Sequence, residues 1–186
     1  MKVINLHHQE NELIKLATEN NRQAQQQLYT HFSPKMLGAC RQYIKDIHQA
    51  EDIMITAFMK VFVNIKNFEN KGSFEGWIRR IMVNECISFI RVQKKIKYVE
   101  DETYFEESFN NIESQFSTDD IQSLIDSLPD GYKTVFNLYA IEGFKHKEIA
   151  SMLEINEGTS KSQLSHARKM LQIQINKLKN YEYGTE

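Results

Sequence analysis

The sequence predicts an all-α protein made of two small helical domains, and three observations carry that prediction. Apolar residues recur at the i, i+3, i+4 spacing of a helix through most of the chain. Seven glycines and two prolines in 186 residues are too few for a β-rich or repeat architecture. Charge falls in blocks. Six basic residues and one acid lie between Arg79 and Lys97, eight acids and no Lys or Arg lie between Glu100 and Asp120, and the chain turns basic again after Gly143. The acidic block has weak periodicity and reads as a linker. The expected organisation is therefore a first domain over 1–98, a linker over 99–118 and a second domain over 119–186.

The remaining bounds are exclusions. A net charge of −2 says nothing about partners. No apolar run approaches the ~20 residues of a membrane span. The start "MKVINLHHQENEL" has no apolar stretch of the kind export signals carry, so a cytoplasmic protein with no membrane insertion is expected. Cys40 and Cys86 lack metal-like spacing and fit reduced structural thiols. His31, His48, Glu51 and the cysteines form no nucleophile, metal or acid–base set, and His7-His8 near the start of the chain reads as solvated. Neither catalysis nor a cofactor is expected.

In the first domain, Asn11 to Phe32 predicts one or two helices carrying Leu13, Leu16, Ala17, Ala24 and Leu28, with a break near Asn20. Ser33-Pro34 reads as a helix start running on to about Ile47, since Ser caps and Pro suits the first helical position. The next helix carries a full core stripe of Ala50, Ile53, Met54, Ala57, Phe58, Val61, Phe62 and Ile65. Beside it lies a second stripe of Asp52, Ile55, Met59 and Val63. Such a helix is either buried on most sides or meets a partner, and Asp52 at the head of the stripe tilts the reading toward a partner.

After the loop "KNFENKGS", Ser73 caps a helix from Phe74 to about Lys95. Phe74, Trp77, Ile78, Ile81, Phe89 and Val92 share one face, while Val83, Cys86 and Ile90 share another. Between them Arg80, Asn84, Arg91 and Lys95 form a narrow line. Cations with one amide on a single line suit a nucleic-acid backbone with one base contact, and equally suit a solvated charged face.

In the second domain, Leu128-Pro129 starts a helix with Tyr132, Val135, Phe136, Leu138, Tyr139 and Ile141, ended by Gly143. A short helix from about Lys145 to Leu153 and a long one from Gly158 to about Lys179 meet at a tight turn, as in a helix-turn-helix. On the long helix Ser160, Leu164, Ala167, Leu171, Ile175 and Leu178 are expected to pack against Ile149, Ala150 and Leu153. Opposite lie Ser162, Ser165, His166 and Lys169, flanked by Lys161 and Arg168 on one side and Gln163 on the other. Short hydroxyls permit close approach to base edges, amide and cationic groups read them, and Lys and Arg neutralise phosphates. Gly158-Thr159 would aim the positive end of that helix at DNA.

Four segments in this order, "AEDIMITAFMKVFVNI", "FENKGSFEGWIRRIMVN", "LPDGYKTVFNLYAIEG" and "EIASMLEINEGTSKSQLSHARKML", resemble the sigma-70 family of RNA polymerase sigma factors, in its compact extracytoplasmic-function (ECF) group. The resemblance spans roughly Glu10 to Lys179. It implies that Asp52, Ile55, Met59 and Val63 dock on the clamp of core RNA polymerase. Lys71, Gly72, Ser73 and Phe74 would capture a base flipped from the minus-ten element, and Arg80, Asn84, Arg91 and Lys95 would hold the melted strand. Thr159, Lys161, Ser162, Gln163, Ser165, His166, Arg168 and Lys169 would bind the minus-thirty-five duplex. Core polymerase (clamp and flap) and promoter DNA are the implied partners, an anti-sigma protein is admitted by analogy, and the free chain is expected to be a monomer. The acidic linker would thread toward the polymerase's RNA channel.

The chain departs from the family's pattern at Lys145, Glu154, Ser160, Gln163, His166, Ile55 and Ser88. Gln163 in place of a common Arg would favour adenine contacts, hence an AT-tolerant minus-thirty-five element. Two competing readings are a sigma-like decoy for an anti-sigma protein and an ordinary helix-turn-helix regulator, which would usually dimerise on a palindrome.

Overall fold

The computed structural model describes residues 2–93 and 117–183, and among them every regular element is helical. Packing divides the chain into two compact units, Met1–Phe89 and Ile90–Glu186. The acidic linker lies outside the described residues except at its last two positions.

The first unit holds α1 (Lys2–Thr18), α2 (Arg22–Arg41), α3 (Ile47–Asn64) and most of α4 (Phe74–Gln93). The break near Asn20 is present. Asn20 takes a left-handed φ of 62°, and the Asn21 side chain accepts the Ala24 N–H at 3.0 Å to cap α2. Asn is among the few residues that tolerate that backbone region while also capping well.

Ser33-Pro34, in contrast, starts nothing. Pro34 lies inside α2, which runs unbroken to Arg41 and not to Ile47. Proline in a helix interior removes one backbone hydrogen bond and costs ~3 kcal/mol. Here Leu28, Phe32, Met36, Ala39 and Cys40 are all buried along one face of α2, and several large side chains at 1.5–3 kcal/mol each outweigh that cost. The chain turns after Gln42, and Asp46 caps α3 by accepting the Gln49 N–H at 2.9 Å.

The core of this unit is aromatic at its centre. Phe32 meets Phe74 edge-on at 5.7 Å, and Phe68 meets Phe74 at 5.1 Å. Ile78, Met82, Val83, Cys86 and Ile87 of α4 are buried in the same unit. Val92 was expected on that face and is instead 81% exposed, in the last turn of the helix. Cys40 and Cys86 are buried free thiols. A hydrogen bond to Cys40 and burial push the Cys86 thiol up, which keeps it protonated and structural.

The second unit holds α5 (Thr118–Asp126), α6 (Asp130–Phe136), α7 (His146–Leu153) and α8 (Glu157–Tyr183). The sequence reading named no helix at α5. Its signal is present: Ser117 and Asp120 form a reciprocal capping box, followed by Ile121, Leu124, Ile125 and Leu128 at helical spacing. The Ser117 hydroxyl and N–H both donate to Asp120 and hold its carboxyl below the usual range.

α6 passes into a π turn over Asn137–Ile141, and Gly143 then reverses the chain at φ 76°. Val135, Leu138, Phe144, Ile149, Leu153, Leu164 and Ala167 are buried as the core of this unit. Lys133 is buried too, and its ammonium lies 3.5 Å from the half-exposed Asp126 carboxylate, the pairing that a buried charge requires.

Candidate nucleic-acid interface

On α3 the core stripe is buried from Ala50 to Val61. The second stripe is open to solvent, with Ile55 50%, Met59 66% and Val63 74% exposed and Asp52 exposed at its head. The alternative of a helix buried on most sides is therefore excluded within this unit. Three large apolar side chains in line form a contiguous patch of the kind that marks protein contact.

The loop before α4 turns through Asn70 at φ 54° and Gly72 at φ 102°. Lys71, Gly72 and Ser73 are exposed. Lys71 pairs with Glu69 at 2.6 Å, and the Ser73 hydroxyl accepts the Gly76 N–H at 3.0 Å, the expected cap. Phe74 does not belong to that exposed loop. It is 1% exposed, a central residue of the aromatic core. Trp77 is half-buried and stacks on Phe74 at 5.7 Å. Further along α4, Arg80, Asn84 and Arg91 are exposed, and Lys95 lies outside the described residues. Arg79, the neighbour of that line, donates to the Gln42 side chain at 3.0 Å and fastens α4 to the end of α2.

In the second unit α7 and α8 meet across a three-residue corner, Glu154 to Asn156, as a helix-turn-helix. Glu154 ends α7 in the left-handed region, φ 57° and ψ 43°, where glycine would be unstrained. Lys145 has no side-chain acceptor with which to cap α7. Glu148 caps from the other direction by accepting the Lys145 backbone N–H at 2.8 Å.

The orientation of α8 corrects part of the expected reading surface. Ser162 is 3% and Gln163 1% exposed, and Thr159 is buried with them. These three belong to the inner side of the helix and not to the outward side or its flank. Ser162 satisfies its hydroxyl by donating to the Thr159 carbonyl at 3.1 Å, a local bond that lets a serine be buried in a helix. The adenine preference argued from Gln163 loses its ground, because an interior amide does not reach a base edge. Ser160 is fully buried as expected. Leu164 and Ala167 share that interior, Leu171 and Ile175 are half-buried, and Leu178 is exposed.

The accessible line on α8 is Lys161, Ser165, Arg168 and Lys169, with Lys169 the most open. Lys161 pairs with Glu157 one turn earlier at 2.9 Å, and that hydrogen bond holds the Glu157 carboxyl below its usual range. His166 is half-buried and stacks on Tyr132 at 5.5 Å, its Nε2 buried without a hydrogen-bond partner.

One group escaped the sequence reading. His146 at the start of α7 stacks on Tyr139 at 4.6 Å, and its Nδ1 lies 3.0 Å from the Ser160 hydroxyl. The Arg168 guanidinium sits 5.5 Å from the centroid of the same Tyr139 ring. No spacing rule could have flagged it, since the pairing joins two helices.

Among the described residues no cluster of His, Cys, Asp or Glu could hold a metal ion. No helix there is long and apolar enough to cross a membrane.

An all-helical chain with a bare apolar stripe and a line of cations in one unit and a helix-turn-helix in the other has the make-up of a transcription-initiation protein. Comparison with known proteins makes that definite. Residues 28–96 match the family model for sigma-70 region 2, and residues 118–171 match that for sigma-70, region 4. The chain is 33% identical over 135 residues to the RNA polymerase sigma factor SigV of Bacillus subtilis, covering 73% of this chain and 81% of that one. It is 31% identical over 162 residues to the ECF RNA polymerase sigma factor SigW of the same organism, covering 79% and 86%. A solved complex of the sigma factor RpoE with the anti-sigma factor NepR from Bartonella quintana aligns with a TM-score of 0.48 and 22% identity, over 81% of this chain and 96% of that one. The chain belongs to the sigma-70 family, in its ECF group, and is a sigma factor of transcription initiation. An unrelated first domain, as an ordinary regulator would have, is excluded by the match to region 2. The family's proteins are sigma factors and not enzymes.

Proposed function

We propose that this chain acts in the cytoplasm by binding core RNA polymerase through the exposed stripe of α3 and holding promoter DNA through α4 and α8. The observation that carries the proposal is the stripe itself. Ile55, Met59 and Val63 stay open to water although the same helix buries a complete second face. Leaving them exposed forgoes burial energy that only a partner recovers.

The DNA roles divide by chemistry. Arg80, Asn84 and Arg91 line α4 where the melted minus-ten strand would run, and the exposed Lys71, Gly72 and Ser73 would take up a flipped base, with Phe74 anchoring the start of α4 in the core. Lys161, Ser165, His166, Arg168 and Lys169 face the minus-thirty-five duplex. Nothing here breaks or forms a covalent bond. Opening is favoured because unstacked bases, each costing a few kcal/mol to flip, are bound better than the duplex.

The test is the affinity of the purified chain for sigma-free core polymerase, beside an Asp52→Lys, Met59→Asp double variant. Tight binding by the wild type that is lost in the variant supports the reading. No binding by the wild type at micromolar concentration overturns it and favours a decoy, for which the α3 stripe would serve an anti-sigma protein instead.

A further inference from the structure

His146 occupies a position where two cations bear on a titratable ring. It opens α7, packs against the π turn through Tyr139 at 4.6 Å, and reaches α8 through the Ser160 hydroxyl at 3.0 Å. The charged groups acting on it from α8 are Lys161, Arg168 and Glu157, and from the π turn the titratable group is the Tyr139 phenol it stacks on. On its own helix Lys145, Lys147 and Glu148 are its neighbours in sequence, with Glu148 engaged at the Lys145 N–H.

Ser160, its partner, is fully buried and directly precedes Lys161. The contact therefore couples the ring to the first turn of the helix that bears the outward cations. Arg168 rests on the ring that His146 stacks against.

We propose that His146 takes up a proton when Lys161 and Arg168 engage the phosphates of duplex DNA, so that the chain holds a promoter more tightly as pH falls. The inference rests on the reading of α8 as the duplex-binding helix.

The electrostatics run in one direction. In the free chain, partial burial first, and then Lys161 and Arg168 against a single opposing Glu157, hold the imidazole below its ordinary titration range and keep it neutral. A phosphate on each cation offsets their charge and brings negative charge close to the ring, which favours the imidazolium. The complex then binds more protons than the free chain, and linkage requires affinity to rise as pH drops through the interval between the two titration points. The hydrogen bond to Ser160 survives either state, because a hydroxyl both donates and accepts. His166 is the other histidine of this unit. It stacks on Tyr132 instead, so the readout must be resolved by site.

The experiment follows the imidazole Cε1–H resonances of the full chain by NMR between about pH 5 and 8, with and without a random-sequence duplex of about 20 base pairs at low salt. His146 is assigned by through-bond correlation, which makes the readout independent of any variant. The expected result is an inflection at higher pH when duplex is present. With it should come roughly threefold tighter binding by fluorescence anisotropy on going from about pH 7.5 to 6. That slope should flatten in His146→Gln. An unchanged His146 inflection, while the Lys161, Ser165 and Lys169 amides shift with duplex, overturns the proposal and leaves the duplex reading standing. Should neither those amides nor the anisotropy respond to duplex, the duplex reading fails first and the proposal with it.

Discussion

α3 and α8 break the ordinary partition of side chains in opposite directions. α3 leaves Ile55, Met59 and Val63 in water, while α8 takes Thr159, Ser160, Ser162 and Gln163 out of it. Each departure costs free energy in the isolated chain, and the two kinds of cost teach different things. Exposed apolar surface is recovered only by something that arrives later, so it speaks of a partner. Buried polar groups must be satisfied at once, so they speak of internal fixing. The Ser162 hydroxyl bonds the Thr159 carbonyl and the Ser160 hydroxyl contacts His146. The first bond stays within α8, whereas the second joins α8 to α7 and fixes their relative setting.

The difference can be broken experimentally, and the sharpest attempt is on α3. Met59→Asp with Val63→Asp should weaken core-polymerase binding by about a hundredfold, the scale of hot-spot residues. Thermal or denaturant stability should move by no more than about 0.5 kcal/mol, as for ordinary surface changes. A large loss of stability would mean that the stripe is structural and the contrast false.

The mirror experiment on α8 is Gln163→Ala. It empties a fully buried site and removes a polar group from the interior, so unfolding by urea should register a loss of about 2–3 kcal/mol. A change below about 0.5 kcal/mol would place Gln163 at the surface after all.

A smaller and opposite effect is expected at the corner between the two helices. Glu154→Gly relieves a left-handed backbone that costs a side-chain-bearing residue ~1–2 kcal/mol. After the extra entropy glycine loses on folding, a net gain of about 0.5–1 kcal/mol should appear in the denaturation midpoint. The smallest effect is that of pH on stability. His146 titrates lower in the folded chain than in the unfolded one. Its contribution is therefore complete above the unfolded pKa of ~6.5 and is lost as pH falls through that value toward the folded one. Urea midpoints compared across that interval should fall in the wild type and fall less in His146→Gln.

The two helices also differ in how much of them could be read from the amino acids. The stripes of α3 obey a hydrophobic period, and both were legible as stripes, while the exposure of the second was settled only by the structure. The outward cations of α8 were legible for the same reason that its inner serines were not. Pattern reading assigns polar residues to solvent, and Thr159, Ser162 and Gln163 are polar residues that nevertheless lie on the buried side of α8. Pro34 misled because the local preference for a helix start was overridden by the continuous buried face from Leu28 to Cys40. α5 was passed over because its capping box stands at the end of an acidic stretch that reads as linker. Phe74 carries both a family motif and the centre of a core, and one position served both expectations in the sequence while the structure gives it to the core.

The π turn between Asn137 and Ile141 has a bearing on how this domain could change. The Glu142 N–H donates to the Asn137 carbonyl at 3.0 Å, five residues back, so the turn carries one residue more than a regular helix would. Because the turn takes up its extra residue locally, removing that residue would restore ordinary winding while leaving the chain on either side near its present course. The side chains within the turn would be redistributed by one helical step, and Tyr139, which meets both His146 and Arg168, is one of them. A one-codon deletion would here retune a contact among the turn, α7 and α8 without unseating the fold.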